Sequence, residues 1–279
     1  MTDTSTLVAP GSDRGGADPL RMAPYGVELE LVERGSGPPL LLLHDGWEVR
    51  ADGPFAGALA ESHRVLVPAH PGFGRSSVPA AFDSVEDLAY FYLELVDELG
   101  IDDVVLVGCS FGGWIAAEIA VRRPTWLRRL VLVDPLGLRV GGVADRDIAD
   151  VWAVGRPALG RLLFHDAGLA EREVEYATRS DEELEVVARN REALARYGWS
   201  PYLCNPRLAR RLHRVAVPTL VAWGAHDGVV SVDYGRAYAA AIPGARFALV
   251  GEAGHLPHVE RPAVLARLVN EFVDEGAQS

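Results

Sequence analysis

The residue in this sequence best placed to do chemistry is a serine set between glycines, in the run Gly108-Cys109-Ser110-Phe111-Gly112. A serine hydroxyl is a weak nucleophile until a neighbouring imidazole takes its proton. Asp227 and His255 follow later in the chain and could supply an orienting carboxylate and that base. The order serine, carboxylate, histidine indicates a nucleophile that attacks a carbonyl carbon.

Other residues compete for these roles. His258 lies three positions after the proposed base and could replace it. Asp134 could be the acid, although the proline after it favours a structural turn. Cys109 adjoins Ser110, but its side chain is expected to point away from the site. A serine where a strand meets a helix can also be only a helix N-cap.

These residues can act together only if structural elements hold them at one edge of a sheet. The apolar, β-branched run 104–109 predicts a buried strand that ends at Ser110, and residues 114–120 predict the helix after it. Helical patterns separate this strand from other apolar runs. The alternation predicts the α/β class, with a doubly wound, mostly parallel sheet. The other predicted strands of this sheet are at 27–33, 40–43, 64–68, 127–133, 217–224 and 245–250.

Three regions of different character are predicted. Residues 1–24 indicate a flexible N-terminal tail. Residues 25–135 and 213–279 form the α/β core, and residues 136–212 form a helical insertion that caps the carboxyl edge of the sheet. Within the cap, helix-like stretches occur at Asp145–Trp152, Pro157–Phe164, Ala170–Arg179, Asp181–Arg196 and Pro206–Leu212.

Several motifs together resemble those of the α/β-hydrolase fold superfamily, over about residues 25–275. The resemblance implies a serine hydrolase with Ser110 as nucleophile, His255 as base and Asp227 as acid. It also implies an oxyanion hole formed by the backbone N–H groups of Phe111 and Gly46. The motifs are Leu43-His44-Asp45-Gly46, His70-Pro71-Gly72-Phe73-Gly74-Arg75-Ser76, Gly108-Cys109-Ser110-Phe111-Gly112-Gly113, Gly224-Ala225-His226-Asp227 and Gly254-His255-Leu256-Pro257-His258-Val259-Glu260.

The chain departs from the pattern of that superfamily at two positions. Asp45 stands where relatives usually have glycine, and a carboxylate beside an oxyanion opposes it unless the carboxylate faces away or is paired. His70 stands at a structural position where relatives often have aspartate. A serine rather than an aspartate at position 110 argues against the haloalkane dehalogenase and epoxide hydrolase branches.

The substrate is less well specified than the reaction. We expect a small, mostly apolar molecule in a pocket that includes Trp47, Trp152, Arg191 and Trp199. Hydrolysis of a carboxylic ester or related acyl bond through an acyl-enzyme is the leading hypothesis. One alternative is hydrolysis of a carbon–carbon bond of the meta-cleavage type, although Leu256 follows His255 where those enzymes usually have tryptophan. Another is a non-catalytic receptor for a small molecule.

Composition narrows the remaining possibilities. The 279 residues include 49% hydrophobic residues, enough for a large core, and a net charge of −12, which argues against a nucleic-acid partner. No signal peptide, membrane span, metal-binding pattern or cofactor motif is predicted, so we expect a cytoplasmic protein without cofactor. The sequence is compatible with a homodimer and does not specify the oligomeric state.

Overall fold

The computed structural model describes residues 20–22, 25–142 and 145–275. Most of the predicted tail therefore lies outside the described residues. The strands are β1 (Leu20–Met22), β2 (Val27–Leu29), β3 (Leu31–Arg34), β4 (Pro39–Leu43), β5 (Arg64–Pro68), β6 (Val104–Cys109), β7 (Leu127–Val133), β8 (Thr219–Gly224) and β9 (Arg246–Val250).

Seven of these strands form one sheet in the order β3-β5-β4-β6-β7-β8-β9. β3 is antiparallel to β5, and the other neighbouring pairs are parallel. β6 lies at the centre, and all six of its residues are buried, as the apolar run 104–109 predicts. The sheet and its flanking helices confirm the predicted α/β class.

Helices cover both faces of the sheet. The side chains of α1 and α9 pack with one face in one core cluster, whereas those of α2, α3 and α7 pack with the other. Loops at the carboxyl ends of the strands are therefore left to form a site. The helices are α1 (Pro54–Ala60), α2 (Val85–Leu99), α3 (Phe111–Ala120), α4 (Arg156–Leu163), α5 (Ala167–Glu173), α6 (Asp181–Gly198), α7 (Val232–Ala240), α8 (Pro257–Glu260) and α9 (Pro262–Asp274).

The N-terminal strand region differs from the single strand predicted over 27–33. Glu30 interrupts it because its backbone and side chain bond the 75–76 loop: its N–H donates to Ser76 Oγ at 3.0 Å, and its carboxylate accepts the Arg75 N–H at 2.7 Å. β2 then pairs with β1, whose Met22 is buried, so part of the predicted tail is a strand. β3 pairs with β5 instead.

The insertion between β7 and β8 has fewer helices than predicted. Residues 145–150 are irregular rather than helical, because Ile148 makes a β-bridge with Val230, and a turn follows at residues 151–153. α5 ends at Glu173 rather than at 179, and residues 206–212 form turns that lead into a short 3₁₀ helix at Leu212–Arg214. Of the helices in the described ranges, none is both long and apolar enough to cross a membrane.

Candidate active site

Ser110 lies at a sharp turn between β6 and α3. Its φ of 50° and ψ of −110° are outside the conformations that non-glycine residues prefer, at a cost of about 1–3 kcal/mol. The turn is tight, because a Cβ at Gly108 would overlap the carbonyl oxygen of Gly112, and one at Gly112 would overlap that of Leu43. Only glycine fits at these two positions, as the spacing of the motif predicts.

The structure brings Ser110, His255 and Asp227 together at the carboxyl ends of β6, β9 and β8. Ser110 Oγ lies 2.7 Å from His255 Nε2, and His255 Nδ1 lies 2.8 Å from Asp227 Oδ2. The side chains of His255 and Asp227 are buried, as is Ser110.

The hydrogen bonds around this group assign the proton positions. Asp227 Oδ1 accepts the N–H groups of Val229 and Val230 at 2.8 and 3.0 Å, which leaves Oδ2 to accept from His255 Nδ1. With the proton on Nδ1, the Nε2 atom accepts the hydroxyl hydrogen of Ser110. The imidazole is therefore oriented to remove that proton.

Two backbone N–H groups are free beside Ser110. Neither Phe111 nor Gly46 donates its N–H to another described residue. The two lie close together, because a Cβ built on Gly46 would be 3.3 Å from the Cβ of Phe111. Phe111 begins α3, whose dipole is positive at that end. The pair could hold a developing negative charge.

Buried histidines fix the loop that carries Gly46. The His70 N–H donates to His44 Nε2 at 3.0 Å, so His44 carries its proton on Nδ1 and donates it to the carbonyl of Asp45 at 2.5 Å. Burial lowers the pKa of His44 to about 4, so this ring stays neutral. A trans peptide points its C=O and N–H in opposite directions, so holding the Asp45 carbonyl also orients the Gly46 N–H.

His70 is itself anchored. It donates from Nε2 to the His44 carbonyl at 2.9 Å and accepts the Tyr92 hydroxyl on Nδ1 at 2.5 Å. The position where relatives often have aspartate is thus structural here too, as predicted.

Asp45 is paired rather than free. Its Oδ2 lies 2.8 Å from Nε2 of His258, and its Oδ1 accepts the N–H groups of Trp47 and Glu48 at 2.6 and 3.0 Å. Burial would raise the pKa of Asp45, but the hydrogen bond and charge of His258, with Arg50 nearby, lower it below its ordinary value. His258, the competing base in the sequence, bonds Asp45 and not Ser110.

Asp134, the competing acid, lies beside Asp227. Its Oδ1 accepts the Gly224 N–H at 2.8 Å, while its buried Oδ2 has no partner among the described residues. Asp134, Asp227 and His255 each place a possible ligand atom within 4.8 Å of the others, but the histidine bonds Asp227. Burial and then the charge of Asp227 raise the pKa of Asp134 well above its ordinary value.

Helix α6 closes the site from above. The ring of Tyr197 stacks on that of Phe111, and a Cβ on Gly46 would be 2.7 Å from a methyl of Leu194. Trp47 and Arg191, two of the predicted pocket residues, line a cavity of about 40 Å³ next to Leu256.

The other two predicted pocket residues are placed elsewhere. Trp152 and Trp199 pack on each other with ring centroids 5.5 Å apart, and Trp199 is 64% exposed. Neither lines the cavity of Trp47 and Arg191.

Sequence reasoning missed the Asp45–His258 pair and the contact of α6 with Gly46. The pair joins residues 213 positions apart, and no local pattern connects them. The sequence does contain one indication of the pair. Asp45 in the oxyanion loop and His258, a second histidine after His255, are both unusual polar residues that would need a hydrogen-bond partner if buried.

The chain is similar to proteins of known family over most of its length. The family model of the alpha/beta hydrolase family matches residues 40–268. The chain belongs to this family. The hydrolase is 30% identical over 268 residues to a 2-hydroxymuconate semialdehyde hydrolase from Pseudomonas putida, covering 90% of this chain and 92% of the relative.

Two further likenesses differ in coverage. The hydrolase is 28% identical to the dihydrolipoyllysine-residue acetyltransferase component of the acetoin cleaving system of Cupriavidus necator, over 85% of this chain but only 64% of that protein. It shares the fold of a meta-cleavage product hydrolase from Pseudomonas fluorescens, with a TM-score of 0.74 at 23% identity, covering 94% of this chain and 98% of that one. These likenesses support an enzyme of the alpha/beta hydrolase class.

Proposed function

We propose that the protein is a serine hydrolase that cleaves a carboxylic ester or related acyl bond of a small, mostly apolar substrate through an acyl-enzyme. One observation carries the proposal: Ser110 Oγ, His255 and Asp227 form a continuous hydrogen-bonded line with contacts of 2.7 and 2.8 Å. It lies beside two N–H groups that have no partner among the described residues.

In the first half-reaction, His255 Nε2 takes the hydroxyl proton of Ser110 as Oγ forms a bond to the carbonyl carbon. The carbonyl oxygen becomes an oxyanion and accepts from Phe111 N–H and Gly46 N–H; losing one such donor typically costs about 10²–10³ in kcat. Asp227 stabilises the imidazolium that forms. The tetrahedral intermediate then collapses, the ester carbon–oxygen bond breaks, and the imidazolium gives its proton to the leaving alkoxide.

In the second half-reaction, water repeats the sequence. His255 takes a proton from the water as its oxygen attacks the acyl carbon of the Ser110 ester. Collapse of the second oxyanion releases the carboxylic acid and returns the proton to Ser110 Oγ.

A second candidate, carbon–carbon hydrolysis, is favoured by one feature of the cap. Arg191 is half-buried at the cavity beside Trp47 and Leu256, and it makes no ion pair with another described residue. A cation so placed could bind a substrate carboxylate. The 2-hydroxymuconate semialdehyde hydrolase relative supports this candidate, whereas Leu256 in place of tryptophan weighs against it.

A substrate panel distinguishes the two candidates. Purified wild type and Ser110→Ala are assayed with short-chain nitrophenyl esters and with vinylogous diketones that carry a carboxylate. Ester hydrolysis by wild type that disappears in Ser110→Ala supports the leading proposal. A higher kcat/KM for the diketone than for the esters would favour carbon–carbon hydrolysis instead. Turnover that survives in Ser110→Ala would refute both.

A further inference from the structure

A second buried Asp–His pair lies behind the proposed oxyanion loop. Asp45 is 1% exposed and His258 is 8% exposed, and their 2.8 Å contact joins the end of β4 to helix α8. Neither residue touches Ser110 or His255 through a hydrogen bond in the described structure. The reaction proposed above assigns the pair no part.

Asp45 holds both ends of the Gly46 segment, one through its side chain and the other through its backbone carbonyl. Asp45 Oδ1 accepts the N–H groups of Trp47 and Glu48, which follow Gly46, while the carbonyl of Asp45 accepts from His44. These bonds therefore fix the orientation of the Asp45–Gly46 peptide, and with it the direction of the Gly46 N–H. If the carboxylate of Asp45 rotated, its hydrogen bonds to the N–H groups of Trp47 and Glu48 would break, and the backbone at Gly46 would no longer be held in this orientation.

His258 keeps the carboxylate from rotating. It is the described residue whose side chain bonds Asp45 Oδ2, and without it that buried oxygen would have no partner. A buried, charged oxygen without a partner is costly, so the carboxylate would turn this oxygen toward water or toward another donor. The Gly46 N–H, in the same loop, is one donor without a partner among the described residues, and Arg50 Nε is another.

We propose that His258 is a positioning residue that acts through Asp45 to hold the Gly46 N–H in the oxyanion hole and to keep the Asp45 charge turned away from the developing oxyanion. This inference rests on the proposed function. It explains why an aspartate is tolerated at position 45, where a carboxylate next to an oxyanion would otherwise oppose catalysis. It also links the oxyanion loop to the segment that carries His255, three residues before His258.

The surroundings of the pair provide a direct test. Asp45 and His258 both line a cavity of about 560 Å³, whose walls include Phe55, Val67 and Cys109. Nδ1 of His258 has no partner among the described residues. Truncation of this side chain would therefore leave a space beside Asp45 that is open to a small ring from solution.

The first experiment compares His258→Leu with His258→Gln. Glutamine can place an N–H donor near the position of the histidine Nε2 and leucine cannot. We expect His258→Leu to lower kcat by about 10–100-fold, which is less than the complete loss of an oxyanion donor costs, because the Gly46 N–H is misplaced rather than removed. KM should change less than threefold. His258→Gln should recover most of the wild-type rate. His63→Leu is the matched control, since His63 is also buried but bonds the carbonyl of Leu59.

The second experiment is chemical rescue of His258→Ala at about pH 8, where imidazole rings are largely neutral. Imidazole can donate an N–H to Asp45, whereas 1-methylimidazole has nearly the same shape but no such donor. We expect imidazole to restore kcat at least fivefold over 1-methylimidazole. The same additions to Ser110→Ala give the rate of imidazole acting alone, which is subtracted.

The outcomes separate this inference from the function on which it rests. If wild type neither hydrolyses esters nor reacts at Ser110 with a fluorophosphonate probe, the proposed function fails. If wild type does so and folded His258→Leu keeps its kcat, or if imidazole and 1-methylimidazole act equally on His258→Ala, the role of His258 is refuted. If His258→Leu does not fold, the glutamine variant and the rescue still decide.

Discussion

The ring of Tyr197, on α6, stacks on the ring of Phe111, the residue after Ser110, with centroids 6.2 Å apart and 29° between the ring planes. The Tyr197 hydroxyl donates to the carbonyl of Pro71 at 3.0 Å, which fixes the ring over the site. Ser110 is 1% exposed beneath it. Because Ser110 is buried, we expect a substrate to reach its hydroxyl only when α6 moves or loses a side chain.

Leu194→Ala should open the site to larger acyl groups. Leu194 contacts the Gly46 segment, and its truncation leaves room above the proposed oxyanion hole. We expect KM for a longer-chain ester to fall relative to that for an acetate ester, and the free energy of unfolding to decrease by about 2–5 kcal/mol. Leu208→Ala is the matched control, because Leu208 is also buried in the insertion. An equal change of KM in both variants would refute the role given to Leu194.

Asp227→Asn should lose most of its activity while keeping its fold. An amide in place of the carboxylate no longer fixes the proton on His255 Nδ1, so Nε2 is not held as the acceptor for Ser110. We expect kcat to fall by about 10³–10⁴, with an unchanged far-ultraviolet circular dichroism spectrum. A variant that retains a tenth of the rate would show that Asp227 is not the acid.

Asp134→Asn should increase stability at neutral pH relative to wild type. The pKa of Asp134 is raised in the folded state, first by burial and then by the charge of Asp227, with Glu260 adding to it. The unfolded chain releases this proton near the ordinary value of about 3.9 and the folded protein does not, so wild-type stability is lost as pH rises above that value.

Urea unfolding at pH 4 and at pH 8 measures this difference. Asparagine carries no proton to release, so the stability gain of Asp134→Asn should be larger at pH 8 than at pH 4. A gain that is equal at both pH values would show that Asp134 is ionised in the folded protein.

Arg191→Met should affect anionic substrates alone. Loss of a charge-assisted hydrogen bond of about 1.5–3 kcal/mol would raise KM for a carboxylate-bearing diketone about tenfold or more, while a neutral ester serves as the internal control. If KM for both substrates changes equally, Arg191 does not bind a substrate carboxylate.

The sequence predicted the parts of the fold that depend on local pattern. The strand 104–109 follows from its apolar, β-branched run. The positions of Ser110, Asp227 and His255 follow from the parallel sheet, because residues after neighbouring parallel strands meet at one edge.

What the sequence did not predict depends on contacts between distant residues. Asp45 and His258 are 213 positions apart, and only the tertiary fold brings them within hydrogen-bonding distance. The placement of Trp199 at the surface and of Leu194 over Gly46 depends on which face α6 turns to the sheet, and an amphipathic pattern does not specify that to a single residue.

Covalent labelling with a fluorophosphonate probe tests the central claim most directly. Wild type, Ser110→Ala and His255→Ala are incubated with the probe, and the modified peptide is located by mass spectrometry. We predict an adduct on Ser110 in wild type that is absent from Ser110→Ala and strongly reduced in His255→Ala, because the hydroxyl then lacks its base. An adduct on another residue, or equal labelling of wild type and His255→Ala, would contradict the account.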